Sequence, residues 1–183
     1  MSNRASALGE TYKTGTFGNL ENGTGVILSE TFFEFTAEIA AFPSSIKTVE
    51  KLVVAAKSKV QTSTAFQIAA NRWLVAGSAD FRTALETKLP AEDGTLTDLT
   101  HGRSAFVISG PKVGWVLSKL FAIDFSLKAL PEKTGLATMH HDTFAQIYRS
   151  NAETFHIFVF RSFARSFWQT LCHAAEETGY EVV

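Results

Sequence analysis

Glycine and lysine meet where a strand gives way to a helix in Ser109-Gly110-Pro111-Lys112-Val113-Gly114, and phosphate-binding loops are built from such residues. A P-loop requires G-x-x-x-x-G-K-[ST], because successive backbone N–H groups must wrap the phosphates and a hydroxyl must reach magnesium. Here three residues separate Gly110 from Gly114, no Gly-Lys-Ser/Thr follows, and the dinucleotide fingerprint G-x-G-x-x-G is absent. The spacing argues against a nucleotide. Pro111 instead suits the first helical position, where its missing N–H costs nothing and its φ is preset. Gly110 is then the N-cap or the sharp turn before it, and Lys112 faces solvent or a partner.

His140-His141-Asp142 has the residue types of a metal site or of an acid–base pair. In a strand, however, adjacent side chains point to opposite faces, so the two histidines do not readily share one metal. His101, His156 and His173 stand singly, without H-E-x-x-H spacing. There is no G-x-S-x-G motif, and Cys172, the only cysteine, falls on the apolar stripe of the last helix. A buried cysteine there is packing rather than a nucleophile. A single cysteine also excludes an internal disulfide and a CxxC zinc site. No catalytic, cofactor-binding or metal-ligating residue is therefore expected in this chain.

The arginines read differently. Arg72 precedes Trp73 at a strand start, Arg103 opens another strand, and Arg161 ends the last one. Guanidinium groups suit bidentate carboxylate pairing and interfaces, so Arg72, Trp73, Arg103, Lys112 and Arg161 are the candidate partner-facing residues. The chain also carries 16 phenylalanines among 183 residues. Most should fill a core, and any that remain exposed would mark an interface.

The elements that position these residues follow from periodicity. Residues 1–24 are rich in turn formers and read as a flexible arm, with residues 25–183 as a single domain. Asn22-Gly23-Thr24 matches a glycosylation acceptor but reads as a turn in the absence of a secretion signal. Thr31 to Phe42 alternates as a half-buried strand, with Phe33, Phe35, Ala37, Ile39 and Ala41 on one side. Pro43 stops it, and Ser44 or Ser45 caps a helix carrying Ile46, Val49, Val53 and Ala56 on one face. Two short strands around Asn71 come next, then a helix capped by Ser78 that ends at Pro90, then the loop "PAEDGTLT". Arg103 to Ser109 is a strand and Pro111 to Phe121 a helix. Thr143 to Arg149 and Thr154 to Arg161 form a hairpin whose second strand, apolar on both faces, must be central. Ser162 caps the last helix, and Gly179 ends it. This order implies an α+β domain, with a mixed, largely antiparallel sheet and packed helices.

Composition bounds the partners. With 45% hydrophobic and 19% charged residues the chain should fold. A net charge of −1, from 17 basic and 18 acidic residues, gives no broad footprint for nucleic acid or an anionic membrane. No run approaches the roughly 20 apolar residues of a transmembrane helix, and no signal-peptide core is present. The expected location is cytoplasmic.

The order of segments carries more information than any one of them. "GVILSE", "NRWLVAGS", "DLTHGRSAFVISGPKVGWVLSKLFAIDF" and "ETFHIFVFRSFARSFWQTL" follow one another from about residue 25 to residue 180. This series resembles the gamma subunit family of heterotetrameric sarcosine oxidases. Asp98, Gly102, Arg103, Ser109-Gly110-Pro111 and Arg161-Ser162-Phe163-Ala164 carry the resemblance. Where many relatives have K-G-C-P-L-D-L, this chain has Lys119-Leu120-Phe121-Ala122-Ile123-Asp124-Phe125, without the Cys-Pro pair.

The resemblance implies a fold related to the folate-binding domain of aminomethyltransferases. It also implies a non-catalytic role, with the chain packing on a large alpha subunit beside a beta subunit, and with a delta subunit as a further candidate partner. In such complexes the partner subunits hold NAD, FAD, FMN and tetrahydrofolate. They oxidise sarcosine to glycine, pass on a one-carbon unit and reduce oxygen to hydrogen peroxide. The same kinship admits a stand-alone folate-binding or one-carbon transfer protein, in which Asp98 or Glu153 would grip a pterin.

Overall fold

The computed structural model describes residues 5–60 and 63–183; the first four residues of the expected arm lie outside it. The chain forms two compact units, one from Phe33–Gly102 and one from the described part of Met1–Phe32 together with Arg103–Val183. The second unit begins with a short 3-10 turn at Gly9–Thr11, strand β1 (Gly15–Phe17) and strand β2 (Val26–Thr31).

The Phe33–Gly102 unit then runs β3 (Phe35–Ala41), α1 (Ile46–Lys59), β4 (Thr64–Ala69), β5 (Arg72–Gly77), α2 (Ala79–Lys88) and β6 (Gly94–Asp98). Its sheet has the order β4-β5-β3-β6, antiparallel throughout. This is the split β-α-β-β-α-β arrangement, in which each helix crosses over one face. The alternation in β3 determines which face. Phe35, Ala37, Ile39 and Ala41 turn toward Val49, Val53 and Ala56 of α1 and toward Phe81 and Leu85 of α2. Burying each large side chain contributes about 1.5–3 kcal/mol. Ser78 caps α2 by accepting the Phe81 N–H at 3.4 Å.

The other unit resumes with β7 (Arg103–Ser109), α3 (Val113–Leu120), β8 (Gly135–His140), β9 (Thr143–Asn151), β10 (Thr154–Phe160), α4 (Ala164–Ala175) and β11 (Tyr180–Val182). Its seven-stranded sheet has the order β1-β11-β2-β7-β10-β9-β8, antiparallel except where β11 runs parallel to β2. Val113, Val116, Leu117 and Leu120 of α3 meet Phe167, Trp168 and Leu171 of α4 over Phe106, Ile108, Ile147, Phe155, Ile157 and Val159. Strand β10 lies between β7 and β9, which is why it is apolar on both faces. The protein is thus α+β, with sheets dominated by antiparallel pairing.

Several local expectations are corrected. The Thr31–Phe42 segment is divided: β2 ends at Thr31 and β3 starts at Phe35. The loop "PAEDGTLT" contributes β6, and β8 was not anticipated. Pro111 lies in the turn before α3, whose N-cap is Lys112. Ser162 does not cap α4 either, because Arg161–Phe163 form a 3-10 turn and the N-cap is Phe163. His140 and His141 are not on opposite faces. His141 has φ +48°, which turns the chain and brings the two rings to 4.4 Å.

Candidate partner-facing surface

The turn at Gly110 shows why no phosphate is needed there. Its N–H groups are already committed: Gly110 donates to the Glu153 carbonyl at 3.0 Å, Lys112 to the Gly25 carbonyl at 3.2 Å and Val113 to the Gly110 carbonyl at 3.1 Å. Gly110 has φ +125°, and a Cβ there would lie 2.7 Å from the Gly25 oxygen. The turn ties the end of β7 to the start of β2 and to the β9–β10 hairpin.

The titratable residues are likewise in structural use. His140 Nδ1 lies 2.7 Å from the Leu120 carbonyl, to which it donates. Cys172 and Tyr180 border a cleft of about 360 Å³ with Phe17 and Trp168. Burial pushes the Cys172 thiol up to about 11. Burial, with Cys172 beside it, pushes Tyr180 up to about 12. A thiol so shifted stays protonated at neutral pH and is a poor nucleophile. Nearby, Lys119 pairs with Glu177 at 2.9 Å, and His173 Nδ1 lies 3.1 Å from a Glu176 carboxylate oxygen. Among the described residues, no group of three or more His, Cys, Asp or Glu is placed to hold a metal ion.

The candidate interface residues do not form one patch. Trp73 is 5% exposed and packs in the core of its unit, while Arg72 reaches Glu38 at 3.2 Å on the surface. Lys112 is exposed at the start of α3. Arg103 and Arg161 do converge, at one end of β10. Arg103 is buried, donates from Nε to Gln146 Oε1 at 3.3 Å and lays its guanidinium 3.9 Å from the centre of the Phe160 ring. Phe160 is its cross-strand partner, and Arg161 follows immediately.

An exposed aromatic ridge continues from there. Phe144 and Phe160 have ring centres 6.1 Å apart, Met139 pairs with Phe144 across β8 and β9, and Met139, Phe160 and Phe163 are exposed. Arg103 is buried beneath this edge, so the exposed apolar side chains, not its guanidinium, are what the edge presents outward. Arg165, four residues beyond Arg161, belongs to the same corner. Reading the arginines singly overlooked it, and the spacing in "RSFAR" is the signal that pairs them.

No protein-family profile matches the chain, and a search of curated proteins finds no match. Solved structures do match. A chain of heterotetrameric sarcosine oxidase from Corynebacterium sp. U-96, in complex with pyrrole 2-carboxylate, aligns with a TM-score of 0.78 at 19% identity, over 96% of each chain. The fold resembles that of a sarcosine oxidase subunit. Glycine cleavage system aminomethyltransferase T from Bartonella henselae aligns with a TM-score of 0.60 at 17% identity, over 95% of this chain and 56% of that one. The chain thus shares the aminomethyltransferase fold while spanning little more than half of that protein. No helix of the described residues is long and apolar enough to cross a membrane.

Asp98 and Glu153 do not suit a pterin. Asp98 accepts the Thr100 N–H at 2.8 Å and faces Arg82 at 3.2 Å. Desolvation opposes its ionisation, but the Thr100 hydrogen bonds and the charges of Arg82 and His101 outweigh it and hold the carboxyl below its usual range. Glu153 sits on the exposed tip of the β9–β10 hairpin. Neither is a carboxylate waiting in an enclosed pocket.

Proposed function

We propose that this chain is a gamma-type, non-catalytic subunit of a heterotetrameric sarcosine oxidase-type complex, working in the cytoplasm and packing on a large alpha subunit. One observation carries the reading: the match to the sarcosine oxidase chain covers 96% of both chains. The aminomethyltransferase match, by contrast, has the lower TM-score of 0.60 and covers 56% of that chain. The exposed Met139 and Phe160, joined through the half-buried Phe144, support the subunit reading by offering a surface to a partner.

In this reading FAD, FMN, NAD and tetrahydrofolate belong to the partner subunits. Those subunits oxidise sarcosine to glycine, transfer the one-carbon unit and reduce oxygen to hydrogen peroxide. The present chain contributes the scaffold.

The test is a native pull-down of the tagged chain from its own cells, followed by mass spectrometry and an assay of sarcosine-dependent peroxide formation. Larger flavin-bearing chains should co-purify with the activity. A stable monomer, together with a gene deletion that leaves the oxidase intact, overturns the reading. The aminomethyltransferase match favours the second reading, a stand-alone folate-binding or one-carbon transfer protein. Titration of the isolated chain with tetrahydrofolate decides that one, and absence of binding removes it.

A further inference from the structure

An open recess of about 470 Å³ lies at the start of α4, lined by Ser6, Ala7, Arg161, Ser162 and Arg165. Its two guanidinium groups are held by neutral acceptors. Arg161 donates from Nη2 to the Ala5 carbonyl at 2.8 Å, and Arg165 donates from Nε to the Ala7 carbonyl at 3.0 Å. Carbonyl oxygens orient a guanidinium without cancelling its charge. Among the described residues neither arginine has a carboxylate within ion-pair distance, whereas Arg72 and Arg82 each face one. Glu30 accepts the hydroxyl of Ser6, one of the lining residues.

The corner also makes room for the second guanidinium. Gly9 has φ +52°, and a Cβ there would come within 3.1 Å of Arg165 Nη2. The start of α4 has no side-chain cap and no acidic residue in its first turn, so its positive end adds to the field of the arginines.

We propose that this recess receives a side-chain carboxylate from an acidic segment of a partner subunit, clamped between Arg161 and Arg165. The inference rests on the reading of the chain as a subunit. Two oriented forks carrying two uncancelled charges are complementary to carboxylate oxygens, and such charge-assisted, bidentate contacts are the strong ones.

The test compares the full chain with Arg161→Gln/Arg165→Gln, which removes charge but little volume. A fluorescently labelled hexaglutamate peptide is the probe, with inorganic phosphate as the rival anion. The peptide should bind the original chain in a salt-sensitive manner and bind the double variant about tenfold or more weakly. Recovery of the flavin-bearing chains in the pull-down should fall in parallel. Equal peptide binding and equal recovery in both proteins overturn the proposal. So does a chain that binds phosphate at the arginines and not the peptide. Arginine-dependent peptide binding without recovery of flavin-bearing chains keeps the recess and removes the subunit reading. Because Arg165 also anchors Ala7, Arg161→Gln alone, which releases only Ala5, serves if the double variant melts early.

Discussion

At Arg149 a guanidinium only 3% exposed is held by backbone alone. It donates to the Leu130 carbonyl at 2.9 Å and to the Phe125 carbonyl, and it sits 4.5 Å from the centre of the Phe155 ring. Desolvation lowers its pKa, although Glu132 opposes this. Its work is to fasten the 125–130 segment to β9. Arg149→Met keeps the stem but leaves two carbonyls without donors, so it should destabilise the protein by about 2–3 kcal/mol in urea unfolding. An unchanged midpoint would remove the fastening role. Cys172 gives a second prediction at this scale. Its thiol is pushed from an ordinary 9.0 up to about 11, so its thiolate fraction at pH 8 falls by about 100-fold, and disulfide-exchange labelling should slow accordingly. Linkage fixes the sign of the pH effect. The folded pKa values of Cys172 and Tyr180, about 11 and about 12, lie above the ordinary 9.0 and 10.0. Their stabilisation is therefore complete below pH 9 and lost as pH rises toward 12. Melting temperature measured across that range should fall, and less steeply in Cys172→Ala; a flat profile contradicts the account.

Among the elements, the launch of α3 is tightly constrained. Gly110→Ala would have to hold φ near +125° with its Cβ 2.7 Å from the Gly25 oxygen. It should lower stability by about 2 kcal/mol or more, read as a shift of the denaturant midpoint with an unchanged slope; a wild-type midpoint would show that the turn relaxes freely. The sequence made this turn, the α3 stripe and the β9–β10 hairpin legible, because their signals are local. Periodicity, a two-residue turn and the Ser78 cap each act within a few residues. The missed strands depend on distant partners. Gly94 permits β6 to approach β3, since a Cβ there would lie 2.5 Å from the Ala40 oxygen, yet in sequence it reads only as a turn former. Strand β11 is three residues long and owes its existence to β1 and β2. The candidate site was half legible for the same reason. The stacking of Arg103 on Phe160 and the pairing of Arg165 with Ala7 and Gly9 join residues far apart in the chain, and no spacing rule encodes that.

At the scale of the whole molecule, residues from both ends of the sequence build one core. Leu8 is fully buried in the cluster that contains Trp168 and Leu171. The Tyr12 ring lies tilted against Trp168, 5.3 Å between centres, and its hydroxyl donates to the Val183 carbonyl, and β1 pairs with β11 in the register Gly15↔Val182. Asn19 donates its N–H to the Glu176 carbonyl at 2.7 Å. The segment 5–17 thus behaves as a strap over α4 and β11, anchored by the two arginines that also line the anion recess. Removing residues 1–17 takes a buried leucine from the core, strips a ring from Trp168 and leaves β11 as an unprotected edge. Loss of a buried leucine alone costs about 2–5 kcal/mol, so the truncated chain should melt roughly 6 °C or more below the full chain. It should also bind a hydrophobic dye more strongly. Hydrogen exchange in the isolated full chain supplies an independent check, since amides of β1 and β11 should be protected without any partner present. Truncated and full chains melting within about 2 °C of each other, with β1 amides exchanging at once, would mean that the strap does not hold on this chain by itself.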